Sequence, residues 1–231
     1  LDPYVKQFGE EKYIKNGTLF TLLGFRNTKM LFPGYVGKTR KTYKNKEITK
    51  FVVVGNISQS CRNYIDLVKA SEILINKRIE NFEVIVIGWG TIENIPEKVL
   101  PHIKLLGQLD YPDMYKEIEK ADFLLTLMDS KISEHHKYLD NWATGANILI
   151  HAFLKPCLID SFFAKSYFFN KDNALLYNAN LAKAMEEAIK MSQSDYKHLL
   201  TGLEKLRKQL YQESLKNLGK TLLQIKRKAN G

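Results

Sequence analysis

Several residues stand where a chain could hold a phosphate group. Gly55, Gly88 and Gly90 each follow an apolar run, and glycine lets the backbone approach a ligand closely. Thr144-Gly145-Ala146 opens a further apolar stretch, and a helix beginning there would present free N–H groups and a positive dipole end to an anion. Together these residues indicate a phosphate-bearing ligand, although each glycine taken alone is more typical of a turn.

Two common phosphate-binding motifs are absent from the sequence. Gly88-Trp89-Gly90 lacks the third glycine of the dinucleotide-binding fingerprint, because position 93 is glutamate. The chain also contains no GxxxxGK[ST] sequence, which excludes a P-loop. A phosphate site here has to be built from loops that match neither motif.

Side chains suited to covalent or metal chemistry are few. Cys61 and Cys157 are too few for a disulfide framework or a metal set, which favours a reducing compartment. His135-His136 has no spaced partners, so we interpret it as part of a surface loop rather than a metal site. His151 lies in an apolar helical stretch and is predicted to be a packed core residue. We expect no metal and no cofactor.

The elements that would position these residues alternate along the chain. Short β-branched or apolar runs predict strands at 51–55, 82–88, 103–107, 122–128, 156–160 and 174–177, and a further short strand at 18–23. Helical spacing predicts helices at 62–79, 112–120, 144–154 and 180–191. Strands that alternate with helices form parallel sheets with right-handed crossovers. The predicted fold class is therefore α/β, a Rossmann-like doubly wound parallel sheet of about six strands, whose ligands bind beyond the carboxyl ends of the strands.

We divide the chain into three parts. Residues 1–49 are expected to be the remnant of an N-terminal domain and a linker, and residues 50–191 the Rossmann-like domain. Residues 192–231 repeat leucines at intervals of three or four, which predicts one or two amphipathic helices with a stripe to bury. The chain opens at Leu1 without a methionine, so we expect a piece of a longer protein.

The charge of the chain is concentrated at its ends. The 231 residues carry 35 Lys+Arg and 25 Asp+Glu, a formal net charge of +10, and 45% are hydrophobic, which excludes a disordered chain. Residues 1–50 have 11 basic and 4 acidic side chains and residues 192–231 have 9 and 3, whereas residues 51–191 have 15 and 18. A nucleic-acid binder usually has its basic surface on the folded module, so we expect no nucleic-acid partner.

The basic runs at 38–46 and 226–228 leave two interpretations open. The favoured interpretation is that these runs belong to a solvated linker and to a solvated helix end. The other interpretation is that they contact an anionic membrane surface. No apolar run approaches the roughly 20 residues of a membrane span.

The order of the motifs resembles the C-terminal half of a GT-B glycosyltransferase. The match covers about residues 50–191 and rests on FVVVGNIS, RNY, VIVIGxG, GQLDYPDMY, ADFLL, Thr144-Gly145 and Lys155-Pro156. The sequence looks closest to the retaining, nucleotide-sugar-dependent bacterial enzymes that build polysaccharides and lipopolysaccharide. In that family the C-terminal domain binds a UDP- or GDP-sugar donor and the N-terminal domain binds the acceptor.

The resemblance implies a set of donor-binding residues. By position, Arg62 would lie near the diphosphate with Gly55 and Asn56, where the family has a basic residue, and an arginine is a permanent, bidentate phosphate partner. The alternative interpretation of Arg62 is a surface residue at the start of a helix. The other implied residues are Gly88, Trp89 and Gly90 beside the donor, Leu109 and Tyr111 at the base, and Thr144, Gly145 and Ala146 facing the phosphates and the sugar. We add Tyr138, outside the resemblance, as a candidate hydroxyl donor.

One family feature is missing. Many relatives carry two glutamates eight positions apart, but the matching positions here are Asn141 and Leu149, with Asp140 only a neighbour. The carboxylate that clasps the ribose is therefore absent, so this chain either handles the donor differently or is inactive.

We expect the donor-binding half of a glycosyltransferase of cell-surface polysaccharide synthesis, acting on a glycan or lipid-linked acceptor through a missing N-terminal domain. It would be cytoplasmic, with a possible peripheral contact at the inner face of the plasma membrane. The fixed cation and the helix start would stabilise the leaving diphosphate without a metal. The isolated chain is expected to be inactive. The alternatives are a degenerate Rossmann-like module for protein or membrane contacts, and a nucleotide-sugar 2-epimerase.

Overall fold

The computed structural model describes residues 20–24, 28–32, 47–139 and 143–229. Strands and helices alternate over most of this range. The strands are β1 (Phe20–Thr21), β2 (Lys29–Met30), β3 (Thr49–Val54), β4 (Phe82–Ile87), β5 (Ile103–Gly107), β6 (Phe123–Leu125), β7 (Cys157–Asp160) and β8 (Leu175–Tyr177). The α-helices are α1 (Tyr64–Asn76), α2 (Tyr111–Lys120), α3 (Gly145–Phe153), α4 (Ser161–Ala164), α5 (Leu181–Lys190) and α6 (Gln193–Ala229), and short 3₁₀ turns cover Leu100–His102, Ser133–Tyr138 and Lys165–Tyr167.

Six strands form one parallel sheet in the order β5-β4-β3-β6-β7-β8. The register places Phe51 of β3 opposite Val84 of β4 on one side and Phe123 of β6 on the other. This is the doubly wound arrangement that the sequence predicts. The strand predicted at 122–128 ends at Leu125, and Leu127 takes a left-handed backbone with φ 53°.

The sheet is buried on both faces because its strands are apolar at nearly every position. In β3, Phe51 and Val53 point into a core that contains α1, α5 and the start of α6. Val52 and Val54 point into the opposite core, which contains α2, α3 and the middle of α6. Such continuous β-branched runs are typical of parallel strands covered by helices on both sides.

The C-terminal tail is one continuous helix of 37 residues. Near its start, the Tyr196 hydroxyl donates a hydrogen bond of 2.8 Å to the Asp122 carbonyl, and Leu199 belongs to the α1/α5 core. Further along, Leu203 and Leu206 pack in the core on the other face of the sheet. The helix therefore crosses from one face to the other and encloses both cores.

Residues 28–32 hold the C-terminal part of α6 through hydrogen bonds. Ser214 Oγ accepts a hydrogen bond of 2.8 Å from the Phe32 backbone N–H, and Asn217 Nδ2 donates one of 3.0 Å to the Met30 carbonyl. Part of the strand predicted at 18–23 is present as β1, which pairs in parallel with β2, an element the sequence analysis does not predict. Residues 18–19 and the basic run 38–46 lie outside the described residues, and the boundary near residue 50 stays a prediction.

Among the described residues, no helix combines the length and the apolar character that crossing a membrane would need.

Candidate functional site

The sheet order brings together the two loops that carry most of the predicted residues. The strand order reverses between β3 and β6, so the helices that follow these strands leave toward opposite faces and open a crevice at their carboxyl ends. Gly55, Asn56 and Arg62 lie after β3, and Tyr138 and Thr144 lie after β6. Positions far apart in the chain thus meet at the place where open α/β sheets bind ligands.

Arg62 is a buried cation in this crevice. Its side chain is 8% exposed, and a Cβ atom on Gly55 would lie only 2.7 Å from its Nη2. The guanidinium therefore occupies the space that the absent Gly55 side chain leaves. Its Nε is buried without a hydrogen-bond partner, and within the described part of the chain no carboxylate pairs with it. A buried cation is unfavourable unless an anion accompanies it, so this position is suited to a phosphate group.

Tyr138 connects Arg62 to the loop before α3. Burial raises the pKa of Tyr138 to about 12, only partly opposed by the nearby Arg62 charge. Tyr138 also lies near Tyr167, which lies beside the Thr144 backbone. The phenol stays neutral near pH 7, and because Tyr138 is only 7% exposed it is part of the crevice interior rather than of the open surface.

The predicted helix start is present. Thr144 is the N-cap of α3, and its Oγ1 accepts a hydrogen bond of 3.3 Å from the Asn147 N–H. Gly145 and Ala146 are the first two helical residues, and the space around a Cβ atom on Gly145 is open. The positive end of α3 therefore faces a surface that a ligand can reach.

The glycines after β4 have a packing role. A Cβ atom on Gly88 would lie 1.8 Å from the Gly55 carbonyl oxygen, and one on Gly90 would lie 2.8 Å from the Ile57 carbonyl oxygen. The Ile57 N–H also donates to the Trp89 carbonyl at 2.9 Å. The backbone of the first loop thus accounts for both glycines, while the Trp89 side chain is 75% exposed.

The residues predicted at the base lie two strands away from β3. Leu109 is half-buried against the core. Tyr111 begins α2 and is 71% exposed, with its ring 5.9 Å from that of Tyr115, which in turn lies 5.1 Å from the ring of Phe153. Asn56 is also exposed. Trp89, Tyr111 and Asn56 therefore lie on open surface around the crevice.

His135 corrects the sequence analysis, which placed the His135-His136 pair in a surface loop. His135 is fully buried, while His136 is exposed. The Asp129 N–H donates to His135 Nδ1 at 2.9 Å, and His135 Nε2 donates to the Gln59 carbonyl at 2.9 Å. Burial lowers the pKa of His135 and favours this neutral tautomer. The residue ties the loop after β6 to the loop after β3.

Asn63 is a second tie between these loops that the sequence analysis does not single out. Its Oδ1 caps α1 by accepting from the Asp66 N–H, and its Nδ2 donates to Asp129 Oδ2 at 2.6 Å. An asparagine directly before a helical pattern is a recognised N-cap signal, so the sequence could have indicated this residue. His135 has no comparable signal.

No carboxylate takes the place of the missing glutamates among the described residues that flank the crevice. Leu149 is half-buried in α3 against the core, and Asp140 and Asn141 lie outside the described residues. Asp129 accepts from the Lys131 backbone as well as from Asn63. Asp160 accepts from the side chain of Ser130 and from the backbone of Phe162. These two acids therefore stabilise loops.

A separate cavity of about 570 Å³ opens beside α1. It is bounded by the loop 57–59, by one face of α1 and by the loop 91–96, and none of the twelve predicted donor-site residues lines it. His151 is buried in the core as predicted, at 1% exposure, and Cys157 at 0%. The described residues contain no group of three or more His, Cys, Asp or Glu side chains that could hold a metal ion.

No family model matches the chain, and no curated protein matches its sequence. Solved structures do match its fold. A trehalose-6-phosphate synthase studied for glycosyl transfer with retention superposes with a TM-score of 0.50 at 12% identity, over 77% of this chain and 46% of its own. The α,α-trehalose 6-phosphate synthase of Burkholderia multivorans gives 0.51 at 12%, over 80% and 45%.

A UDP-forming α,α-trehalose-phosphate synthase of Burkholderia xenovorans, in complex with glucose-6-phosphate, gives a TM-score of 0.51 at 12% identity, over 74% of this chain and 43% of its own. The chain thus spans less than half the length of these enzymes. Similarity at this level of identity concerns the fold, and the fold of this chain is the Rossmann-like one found in half of a GT-B glycosyltransferase.

Proposed function

We propose that this chain is the donor-binding half of a glycosyltransferase that uses a UDP- or GDP-sugar. The observation that carries the proposal is the buried guanidinium of Arg62 at the point where the strand order reverses, with which no carboxylate of the described residues pairs. A diphosphate would supply a counter-charge, and the N-terminus of α3 would add backbone N–H donors. The UDP-forming activity of one structural neighbour is consistent with such a donor.

In the proposed reaction this half performs little covalent chemistry. Negative charge develops on the diphosphate as the bond to the sugar breaks, and preorganised donors stabilise that charge. Arg62 and the first N–H groups of α3 have this role, and no step requires a divalent cation. The sugar is transferred with retention to a glycan or lipid-linked acceptor held by a second domain, in cell-surface polysaccharide or lipopolysaccharide synthesis in the cytoplasm.

The open rim around the crevice supports this division of labour. Asn56, Trp89 and Tyr111 are exposed, and Gly145 faces open space. We propose that the second domain completes the cleft over this surface. The twelve residues predicted from the sequence then remain the candidate donor site, with Arg62, Thr144, Gly145 and Ala146 at the phosphates and Tyr138 near Arg62.

The epimerase alternative needs a free histidine near a carboxylate in the crevice. His135 has both of its ring nitrogens hydrogen-bonded to backbone, and the exposed His136 beside it is bonded through Nε2 to the Ser130 carbonyl. The geometry therefore does not favour that alternative.

The test measures nucleotide binding and stability in the same variants. We expect UDP or GDP to raise the melting temperature by a few degrees at about one hundred times its Kd, equally with EDTA present. Arg62→Ala should weaken binding at least about tenfold, since a charge-assisted hydrogen bond contributes about 1.5–3 kcal/mol. The control Arg78→Ala removes an exposed arginine that lies between the end of α1 and the start of β4, at the end of the strands opposite the crevice. This variant should bind the nucleotide as the wild type does.

Unfolding of the same variants separates a ligand-binding arginine from a structural one. Because no described residue pairs with the guanidinium, Arg62→Ala should leave the stability of the free protein unchanged or higher. A clear loss of stability with unchanged nucleotide binding would assign Arg62 to the fold and contradict the proposal. Absence of any effect of UDP and GDP on the wild type would do the same.

A further inference from the structure

The last third of α6 carries an apolar stripe that faces away from the protein. Its members are Tyr211, Leu215, Leu218, Leu222 and Ile225, which recur at intervals of four and three residues and are 36–58% exposed. This spacing places all five on one face of a helix. We call this set the outer stripe.

The outer stripe is distinct from the face of α6 that packs on the protein. The packed face turns toward residues 28–32. Its side chains at Ser214, Asn217 and Thr221 are hydrogen-bonded to Phe32, Met30 and Lys29, respectively. Residues 215, 218 and 222 each follow one of these by one position, which turns them about 100° around the helix axis. The stripe therefore stays outside the contact that already holds the helix.

The charge around the outer stripe is strongly positive. Between residues 207 and 228 there are seven basic side chains and one acidic side chain, Glu213. Lys216 lies 3.9 Å from Glu213 in an exposed pair, which contributes little. An apolar stripe bordered by lysines and arginines on a helix too polar to span a membrane is typical of a segment that lies in the membrane interface.

We propose that the outer stripe docks on an anionic lipid surface. The leucine side chains would enter the headgroup boundary, and Lys208 and Lys226, which flank the stripe on the helix surface, would contact acidic headgroups. A second copy of the chain is a poorer occupant, because a pair of these helices would bring like charges together. The inference is independent of the donor site, so Arg62→Ala should leave it intact.

The experiment is flotation of the full chain with vesicles. We expect binding to phosphatidylcholine vesicles that contain about one third phosphatidylglycerol, and no binding to phosphatidylcholine alone. The double variant Leu218→Ser, Leu222→Ser should bind about tenfold more weakly or worse, because it removes apolar contact without changing charge. The double variant Lys208→Gln, Lys226→Gln removes the two lysines that flank the stripe and should also lose most of the binding.

Two controls make the result decisive. Leu105→Ser, Leu106→Ser removes two exposed leucines from β5, far from α6 in the fold, and should bind as the wild type does. Melting temperatures should show that every variant remains folded. If the stripe variant and the wild type bound the vesicles equally, the chain would bind through its overall positive charge and not through the outer stripe. That result would overturn the proposal. So would a wild-type dimer in light scattering that the stripe variant converts to a monomer.

Discussion

At the scale of single residues, Gly55 connects the backbone of the crevice to the position of Arg62. Its φ of 128° is one that other residues rarely adopt, and a Cβ atom there would meet the guanidinium. We predict that Gly55→Ala destabilises the protein by about 1–3 kcal/mol and displaces Arg62, so that UDP or GDP binding is lost. Chemical denaturation and calorimetric titration measure the two effects.

Gly107→Ala is the matched control for that prediction. Gly107 also has a positive φ, of 68°, but nothing lies within 4 Å of the position of its Cβ. The variant should lose stability and keep nucleotide binding. If Gly107→Ala abolished binding as completely as Gly55→Ala does, backbone strain alone would explain both, and the link to Arg62 would fail.

His151 makes the stability of the protein depend on pH. It is buried between the rings of Phe32 and Phe169, neither of its ring nitrogens has a hydrogen-bond partner among the described residues, and burial lowers its pKa to about 3. The unfolded chain binds a proton near pH 6.5, whereas the folded protein does not, so stability falls as pH drops below 6.5. The loss should reach about 2 kcal/mol by pH 5.

The histidine's share of that pH dependence can be isolated by substitution. His151→Leu should remove this component of the slope of unfolding free energy against pH, whatever its effect at pH 7. His198→Gln changes an exposed histidine and should leave the slope as in the wild type. An unchanged slope in His151→Leu would show that the ring is not buried in its neutral form.

At the scale of elements, His135 joins the loops that follow β3 and β6. We predict that His135→Ala destabilises the protein by about 1–3 kcal/mol, because the Asp129 N–H and the Gln59 carbonyl lose their partner. Residues 57–63 and 126–139 should then exchange amide hydrogens faster. The control is His136→Ala, at the neighbouring exposed position. Similar effects in both variants would contradict the assignment of His135 as the residue that joins the two loops.

The contact between α6 and residues 28–32 can be tested separately from the sheet. Ser214→Ala leaves the buried Phe32 N–H without its acceptor, which we expect to cost about 1–2 kcal/mol. Hydrogen exchange should increase at residues 28–32 and stay unchanged in the six-stranded sheet. Thr201→Ala, on an exposed part of the same helix, should change neither, and a uniform increase across the sheet would mean that the contact is not local.

The strands and helices of the sheet were the most predictable elements, because continuous runs such as that of β3 have no other suitable environment than a sheet buried on both faces. The burial of His135 depends on contacts across two loops that no local pattern encodes. The packing role of Gly88 was equally hidden, since it depends on the Gly55 carbonyl of the neighbouring strand. For the site, the role of Arg62 stays a prediction, and no local pattern shows that its guanidinium is buried without a carboxylate partner among the described residues.

At the scale of the whole molecule, the chain has the size of one half of its structural neighbours. We predict that it binds a donor nucleotide without transferring sugar, because the acceptor would bind to the other half. Incubation with labelled UDP- and GDP-sugars and candidate acceptors, followed by product chromatography, checks this. Measurable transfer by the chain alone would mean that residues within it also bind the acceptor.

The single helix α6 also has a mechanical consequence. It extends about 40 Å from Tyr196, which is anchored beside the sheet, to Leu222. Because Leu203 packs in the core and Ser214 is bonded to Phe32, the rod is held along most of its length and acts as a brace. Residues 28–32 should therefore keep a constant distance from the sheet, and a pair of spin labels on α6 and β4 should report one narrow separation.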